Sequence, residues 1–197
     1  MKPVFVSASV PDPRRDARYF ETADTVAIRD AITALVQVVT PAAQLIFGGH
    51  PAITPMVARV AASQKTLHNV KMFQSGFFAP MFPRENAFFE SLQITEPVFV
   101  DGRPDRGESL AQMRREMLAE GPFSAALFIG GMEGVEDEFR MIREMKDPPP
   151  CFPVATTGGA ALLLARRYEE ELLGAGLEAL FTGREYFLLF RRLLRMG

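Results

Sequence analysis

The sequence contains one cysteine, Cys151, and two histidines, His50 and His68, among its 197 residues. One cysteine cannot form an internal disulfide, and two separated histidines with one cysteine cannot supply a closed zinc site. We therefore expect no metal site and no cofactor. The surrounding sequence, PPPCFPVATT, is typical of a strand, which favours a buried thiol over a nucleophile. This cysteine usage favours a reducing, cytoplasmic location.

The chain also has no block of like charge and no long apolar run. Its formal net charge is −2 at pH 7, with a pI near 5.8, so the basic footprint of a nucleic-acid-binding protein is missing. No apolar stretch approaches the roughly 18 residues that a membrane span needs, and the first apolar run is too short for a signal peptide. We expect neither a nucleic-acid partner nor a membrane partner.

Apolar segments alternate along the chain between strand-like runs and stretches with helical periodicity. With 48% hydrophobic residues, the chain can bury one substantial core, and we expect a single domain over residues 1–197. The predicted strands are 3–9, 43–47, 69–73, 97–100, 125–129 and 152–155; the predicted helices are 24–39, 51–62, 108–119, 135–145 and 160–173. This order predicts an α/β, Rossmann-like three-layer fold with a mostly parallel sheet of about six strands.

Two glycine pairs follow predicted strands, in QLIFGGHPAITP at 44–55 and in AALFIGGMEGVEDEF at 125–139. Glycine at a strand's carboxyl end lets the backbone approach a ligand, and the next helix offers free N–H groups to phosphate or ribose. The alternative is that both pairs only make tight turns. Ligands of such sheets bind at the carboxyl ends of the strands, where the segments 7–13, 48–54, 74–76, 130–134 and 156–159 fall. A bulky residue at Gly131 is therefore expected to block the ligand without unfolding the protein.

Four motifs that follow one another at predicted strand ends resemble the SLOG superfamily. They read VFVSASVP, LIFGGHPAITP, FIGGMEGVEDEF and VATTGGAA, and the resemblance covers nearly the whole chain. The superfamily's Rossmann-like fold is shared by DNA-processing Smf proteins and cytokinin-activating LOG enzymes. The sequence most resembles the branch that includes domains of bacterial antiviral systems such as Thoeris. This implies a site for a nucleotide-derived signal of the ADP-ribose or cyclic ADP-ribose type. The predicted ligand-binding residues are Ser7, Ser9, Gly48, Gly49, His50, Thr54, Ser75, Gly76, Gly130, Gly131, Glu133, Gly134, Glu138, Thr156, Thr157 and Gly158.

The enzymatic relatives imply a catalytic pair. LOG enzymes carry an Arg-Lys pair on a helix and, later in the chain, a Pro-Gly-Gly-x-Gly-Thr-x-x-Glu motif. The Arg of the pair and the Glu of the motif act on the N-glycosidic bond of a nucleoside monophosphate. The resemblance places Arg114 on the family arginine and Glu138 near the glutamate. Here Ile129 replaces the proline, one residue is inserted before Gly134, and Val135 replaces the threonine. The inserted residue shifts the position of Glu138, and such a shift can abolish turnover while preserving binding. We therefore predict a sensor or ligand-sequestering module, with a phosphoribohydrolase as the alternative.

Some of these residues have a simpler interpretation. Acids are favoured at the first turns of a helix by its dipole, and for Glu136 and Asp137 we prefer that explanation. For Glu138, contact with the ribose or base of a ligand remains an alternative to the helix-dipole explanation. His50 can donate to phosphate or simply form the turn. Serines at strand ends such as Ser7 usually satisfy backbone groups.

Two segments have the composition of interaction surfaces. FFAPMFPRENAFF, at 77–89, holds five phenylalanines in thirteen residues and is too apolar for a solvated loop. It covers the core, contacts another subunit, or stacks on a base. Residues 184–195 form a basic amphipathic helix that docks on its own domain or on a neighbour, with membrane-surface binding as a weaker alternative. We expect a homo-oligomer, dimer or tetramer, and a separate effector protein for a sensor.

Overall fold

Six parallel strands form the central sheet, as the sequence predicts. The computed structural model describes residues 2–196. In chain order the strands are β1 (Val4–Ser9), β2 (Leu45–Gly48), β3 (Val70–Ser75), β4 (Ser91–Thr95), β5 (Phe99–Val100), β6 (Arg103–Pro104), β7 (Ala125–Gly130) and β8 (Cys151–Val154). The sheet has the order β4-β3-β2-β1-β7-β8, and each neighbouring pair is parallel. This confirms the α/β, Rossmann-like fold.

Helices cover both faces of the sheet. They are α1 (Ala17–Phe20), α2 (Thr25–Val39), α3 (Thr54–Ser63), α4 (Arg106–Leu118), α5 (Glu133–Arg143), α6 (Gly159–Arg167), α7 (Glu169–Gly174), α8 (Ala179–Thr182) and α9 (Tyr186–Leu194). Successive side chains of a strand point to opposite faces. Val4 and Val6 therefore join the core formed with α2, α3 and α9, whereas Phe5 joins the core formed with α4 and α5. We call these the α2 face and the α4 face. None of the helices among residues 2–196 is long and apolar enough to span a bilayer.

The C-terminal helix docks on its own domain. In α9, Tyr186 and Phe190 are buried against α2, and Arg184 just before the helix contacts Asp24, with 2.8 Å between its Nη1 and an Asp24 oxygen. Asp24 also begins α2 as its N-cap, accepting from the N–H groups of Val26 and Ala27. The apolar face predicted at 184–195 is thus mostly used within the chain.

Two element predictions are wrong. The edge strand beside β3 is β4, with the sequence SLQIT, whereas the predicted strand at 97–100 forms only β5, which pairs with β6 in a hairpin. An edge strand packs less of its surface, so β4 lacks the apolar run that marks the inner strands. The helix predicted at 160–173 is interrupted at Tyr168, whose φ of −113° and ψ of 25° separate α6 from α7.

The aromatic segment, residues 77–89, is partly a cover and partly exposed. It consists mainly of two 3₁₀ turns, Gly76–Met81 and Arg84–Phe88. Phe89 is buried on the α2 face, with its ring centroid 5.9 Å from that of Phe47. Phe88, in contrast, is 58% exposed. One end of the segment therefore completes the core, and the other presents apolar surface to solvent.

Candidate functional site

The order of the strands reverses between β1 and β7. From β1 the chain adds β2, β3 and β4 on one side, and then crosses back to add β7 and β8 on the other. In open parallel sheets, ligands bind in the crevice outside the carboxyl ends of the strands at such a reversal. The carboxyl ends of β1 and β7 are in register here, with Ser9 opposite Gly130. The fold thus brings the first and third sequence motifs together at one crevice.

The glycine turn after β7 ties strands together. Gly130 and Gly131 have φ angles of +58° and +87°, which favour glycine. The N–H of Gly130 donates to Thr157 Oγ1 at 2.8 Å, and the N–H of Gly131 donates to the Ser9 carbonyl at 2.8 Å. The Gly131 carbonyl in turn accepts from the N–H of Ala160 at 2.9 Å. The fold therefore uses both N–H groups of this glycine pair.

Free donors lie one step later, at the N-terminus of α5. Met132 is the N-cap and makes no side-chain capping hydrogen bond. The N–H of Val135 donates to the Met132 carbonyl at 2.9 Å, whereas those of Glu133 and Gly134 have no partner among residues 2–196. Unpartnered N–H groups at a helix N-terminus attract an anion or a hydroxyl oxygen. Free N–H groups thus lie on the helix that follows the glycine pair, which is where the sequence predicts them.

A mostly buried ion pair lies beside these donors. Arg114, on α4, places Nε 3.3 Å from a Glu138 carboxylate oxygen and Nη1 3.3 Å from an Asp137 oxygen. The side chains of Arg114 and Glu138 are only 14% and 12% exposed. Burial raises the pKa of Glu138, while Arg114 and a hydrogen bond with the buried Ser7 side chain act in the opposite direction. The two residues that the resemblance pairs, 24 positions apart in the sequence, are thus in direct contact.

Gly134 makes room for this arginine. A Cβ atom at position 134 would lie 2.8 Å from Nη2 of Arg114, so the guanidinium packs directly over the glycine. The positive guanidinium therefore lies close to the positive end of the α5 dipole, and the Asp137 and Glu138 carboxylates offset the repulsion. This arrangement concentrates both signs of charge around two free N–H groups.

The loop after β1 closes one side of the crevice. Tyr19 is fully buried and donates its hydroxyl to Glu136 at 2.6 Å, and Arg167 contacts the same carboxylate from α6. Burial, together with this hydrogen bond, raises the pKa of Tyr19 to about 12. Arg15 pairs with the exposed Glu133. Glu136 therefore holds the loop in place, in addition to being favoured by the helix dipole.

The glycine turn after β2 is also closed on itself. The N–H of His50 donates to Thr54 Oγ1 at 3.1 Å, and the N–H of Thr54 returns to the His50 carbonyl at 2.8 Å. His50 Nδ1 accepts from the N–H of Ala52 at 3.2 Å. Gly49 donates its N–H to the Phe73 carbonyl at 2.8 Å. The prediction of free backbone donors here is wrong, and burial lowers the pKa of His50 to about 4, so the ring is neutral at pH 7.

Several other predicted ligand residues hold loops together. These are Ser75, Gly76, Thr156, Thr157 and Gly158. Ser75 Oγ accepts from the N–H of Phe77 at 3.4 Å, and Thr156 shares a hydrogen bond of 2.9 Å with the Tyr186 hydroxyl. A Cβ at Gly158 would overlap the loop after β1, and φ is +70°. Gly48 and Ser9 remain at the crevice, where a Cβ on Gly48 would make only ordinary contacts.

Gln74, the fifth residue of β3, is a polar residue that sequence reasoning did not select. It is only 5% exposed, and its amide packs directly over Gly49, where even a Cβ would overlap it. The side-chain amide makes no hydrogen bond with residues 2–196. The sequence places Gln74 at a strand end but gives no sign of its burial, since that depends on Gly49 in the turn after the neighbouring strand β2.

Two cavities lie away from this crevice. One, of about 530 Å³, lies near the amino ends of β7 and β8 and is lined by Ser124, Pro150 and residues of α8 and α9. Another, of about 380 Å³, is open and lies between the later turns of α4 and α5. Within residues 2–196, no group of three or more His, Cys, Asp or Glu is placed to hold a metal ion. Burial raises the pKa of Cys151 to about 12, as expected for a thiol that is not a nucleophile.

Comparison with known proteins identifies the family of the chain. No curated protein and no solved structure matches it. Residues 18–194 match the model of the SLOG cluster3 family. The matched region begins after β1 and extends through α9. The match includes the glycine turns, Arg114 and the N-terminus of α5. The protein with this parallel sheet and crevice therefore belongs to the SLOG cluster3 family.

Proposed function

We propose that the protein binds a nucleotide-derived small molecule at the carboxyl ends of β1 and β7 and acts as a sensor or sequestering module. Membership in a SLOG family supports a nucleotide-related ligand-binding or LOG-like role. One observation carries the proposal: α5 begins with two unpartnered N–H groups, of Glu133 and Gly134, and the Arg114 guanidinium packs over Gly134 while it pairs with the mostly buried Glu138.

The chemistry of these groups matches the parts of a nucleotide. The N–H groups and Arg114 bind phosphate oxygens, because donors at a helix N-terminus and a guanidinium are both suited to anions. The Glu138 carboxylate accepts hydrogen bonds from ribose hydroxyls, next to the Ser7 hydroxyl. In the free protein, the Arg114 guanidinium forms ion pairs with Glu138 and Asp137. A bound phosphate would compete with these carboxylates for the guanidinium, which couples ligand binding to the contact between α4 and α5.

The length of the crevice favours a ligand of the ADP-ribose or cyclic ADP-ribose type. From β7 to β3 the sheet crosses three strand spacings, which is about 14 Å. Phosphate-binding groups lie at the β7 end, and neutral polar groups lie at the β3 end. Antiviral defence, through a separate effector protein, is the cellular role that we propose for such a sensor.

Binding without turnover is the expected behaviour. We expect at least one of AMP, ADP-ribose and cyclic ADP-ribose to raise the melting temperature, and none to release free base at a steady rate. A ligand at 100 times its Kd stabilises the fold by about 2.7 kcal/mol, which a thermal-shift measurement detects readily. Chromatography of the same mixtures measures base release. If none of the three changes the melting temperature at millimolar concentration, the proposed function is wrong.

A LOG-like phosphoribohydrolase is the second candidate, and the contact between Arg114 and Glu138 favours it. A carboxyl group with a raised pKa and a neighbouring guanidinium can serve acid chemistry at an N-glycosidic bond. Steady release of base from a nucleoside monophosphate, lost in both Arg114→Ala and Glu138→Ala, would establish this activity. An unchanged release in the two variants would assign it to a contaminant.

We also propose that the protein forms a homodimer, alone or paired again as a tetramer. The edge strand β4 has unpaired backbone groups, and exposed apolar side chains cluster in and near it. They include Ile94, 50% exposed, and Phe88 and Phe99, 58% and 62% exposed. We expect light scattering to give a dimer mass or larger, and Ile94→Lys to lower it. Leu188→Lys, at a 61% exposed site on α9, is the matched control and should leave the mass unchanged. A monomer at micromolar concentration, with and without ligand, would refute the assembly.

A further inference from the structure

Gln74 presents an unusual buried amide. The residue is 95% removed from solvent, at 5% exposure, and its side chain has no hydrogen-bond partner among residues 2–196. An amide without a partner in the protein needs water or a ligand to hydrogen-bond it, since leaving it unsatisfied is costly. Asn86 in the aromatic segment and Thr95 at the end of β4 have side-chain atoms that are sealed from solvent and unpartnered. The Gln74 amide does not belong to that sealed set, so water or a ligand at the carboxyl end of β3 can still hydrogen-bond it.

The surroundings of this amide are neutral. The neighbouring turn uses its backbone donors internally, so it offers no set of N–H groups to a phosphate. His50 is uncharged at pH 7, with Nδ1 occupied by the N–H of Ala52 and the proton therefore on Nε2. The amide packs over Gly49, and the Met72 sulfur lies close to the same glycine. A site of this kind suits a flat, uncharged group with adjacent donor and acceptor atoms.

We propose that Gln74 reads the base of the ligand and favours adenine. A glutamine amide offers one acceptor and two donors, which match the adjacent amino group and ring nitrogen of adenine. The inference rests on the proposed function, since it places the phosphate at the N-terminus of α5 and the base at the end of β3. Gly49 then serves to seat the amide and does not itself contact the ligand.

The test compares three probes that differ at the base. Calorimetry of the full chain is run with ADP-ribose, with its hypoxanthine counterpart, in which an oxygen replaces the amino group, and with ribose 5-phosphate. We expect the wild type to bind ADP-ribose about tenfold more tightly than the hypoxanthine form, as a bidentate contact provides. In Gln74→Leu the two should bind equally, while the affinity for ribose 5-phosphate stays unchanged.

The control and the contrary outcomes separate this inference from the proposed function. Gln93→Leu, on β4, removes a glutamine already bonded to Glu116 and should retain the base preference. Gln74→Met provides a second apolar variant of similar length, and melting curves verify that each variant is folded. If wild type binds ADP-ribose without base preference, or if both Gln74 variants keep the preference, Gln74 does not read the base and the binding site itself stands. If wild type binds none of the probes, the proposed function fails.

Discussion

Gly131→Leu is expected to destabilise the fold by about 2–5 kcal/mol, a large fraction of the stability of a typical domain. Gly131 has a φ of +87°, and a Cβ there would overlap the Val135 side chain. A side chain in the left-handed region costs about 1–2 kcal/mol, and overpacking adds about 1–3 kcal/mol. Urea unfolding followed by circular dichroism measures the loss. From the sequence alone, this substitution is expected to block the ligand and leave the fold intact. The positive φ of Gly131 instead makes the substitution destabilise the fold.

Gly102→Leu is the matched control for this prediction. Gly102 has a φ of +73°, but a Cβ at this position meets nothing within 4 Å. We therefore expect it to show the conformational cost alone, about 1–2 kcal/mol. The difference between the two variants measures the packing cost at Gly131. Equal losses in both variants would show that the overlap with Val135 is relieved without cost.

Arg114→Met is expected to destabilise the protein by about 3–5 kcal/mol, because it leaves the Glu138 carboxylate buried without its partner. Glu138→Gln in the same chain should recover most of this loss, since it removes the uncompensated charge. Arg115→Met, on the exposed neighbour of Arg114, is the control and should change the free energy of unfolding by less than about 0.5 kcal/mol. If Arg114→Met and Arg115→Met have equal effects, the buried pair does not hold α4 against α5.

The pH dependence of this series has a definite sign. The folded-state pKa of Glu138 lies above its ordinary value of 4.5, so the folded protein binds the proton more tightly than the unfolded chain. The contribution of Glu138 to the free energy of unfolding is therefore fully present below pH 4.5 and decreases as the pH rises through the folded-state pKa. Arg114→Met removes a group that lowers this pKa, which extends the decrease to higher pH. Glu138→Gln should make the free energy of unfolding less dependent on pH in measurements between pH 4 and pH 8.

The inner strands were predictable because they are buried on both faces. Their apolar runs therefore mark β1, β2, β3 and β7 in the sequence, and the edge strand β8 is also marked, because its Phe152 and Val154 are buried. At β4, by contrast, polar Ser91, Gln93 and Thr95 alternate with apolar residues, and the more apolar run that follows, at 97–100, attracted the strand prediction. An edge strand is recognised by its pairing with β3, which a single sequence does not display.

The candidate site was predictable only in part, for a similar reason. Resemblance to LOG enzymes paired Arg114 with Glu138, and these residues are in contact. The sequence could not show that the N–H of Gly131 is used by the fold, because it bonds to a carbonyl about 120 positions earlier in the chain, that of Ser9. Nor does it show the burial of Gln74. Both features depend on contacts between strands that are distant in the sequence.

A crystal structure of the protein with ADP-ribose tests the central claim most directly. The account predicts a phosphate oxygen within hydrogen-bond distance of the N–H groups of Glu133 and Gly134, with Arg114 turned toward it. It also predicts the base at the end of β3. Density for the ligand in the cavity near the amino ends of β7 and β8, lined by Leu180 and Leu189, would contradict it.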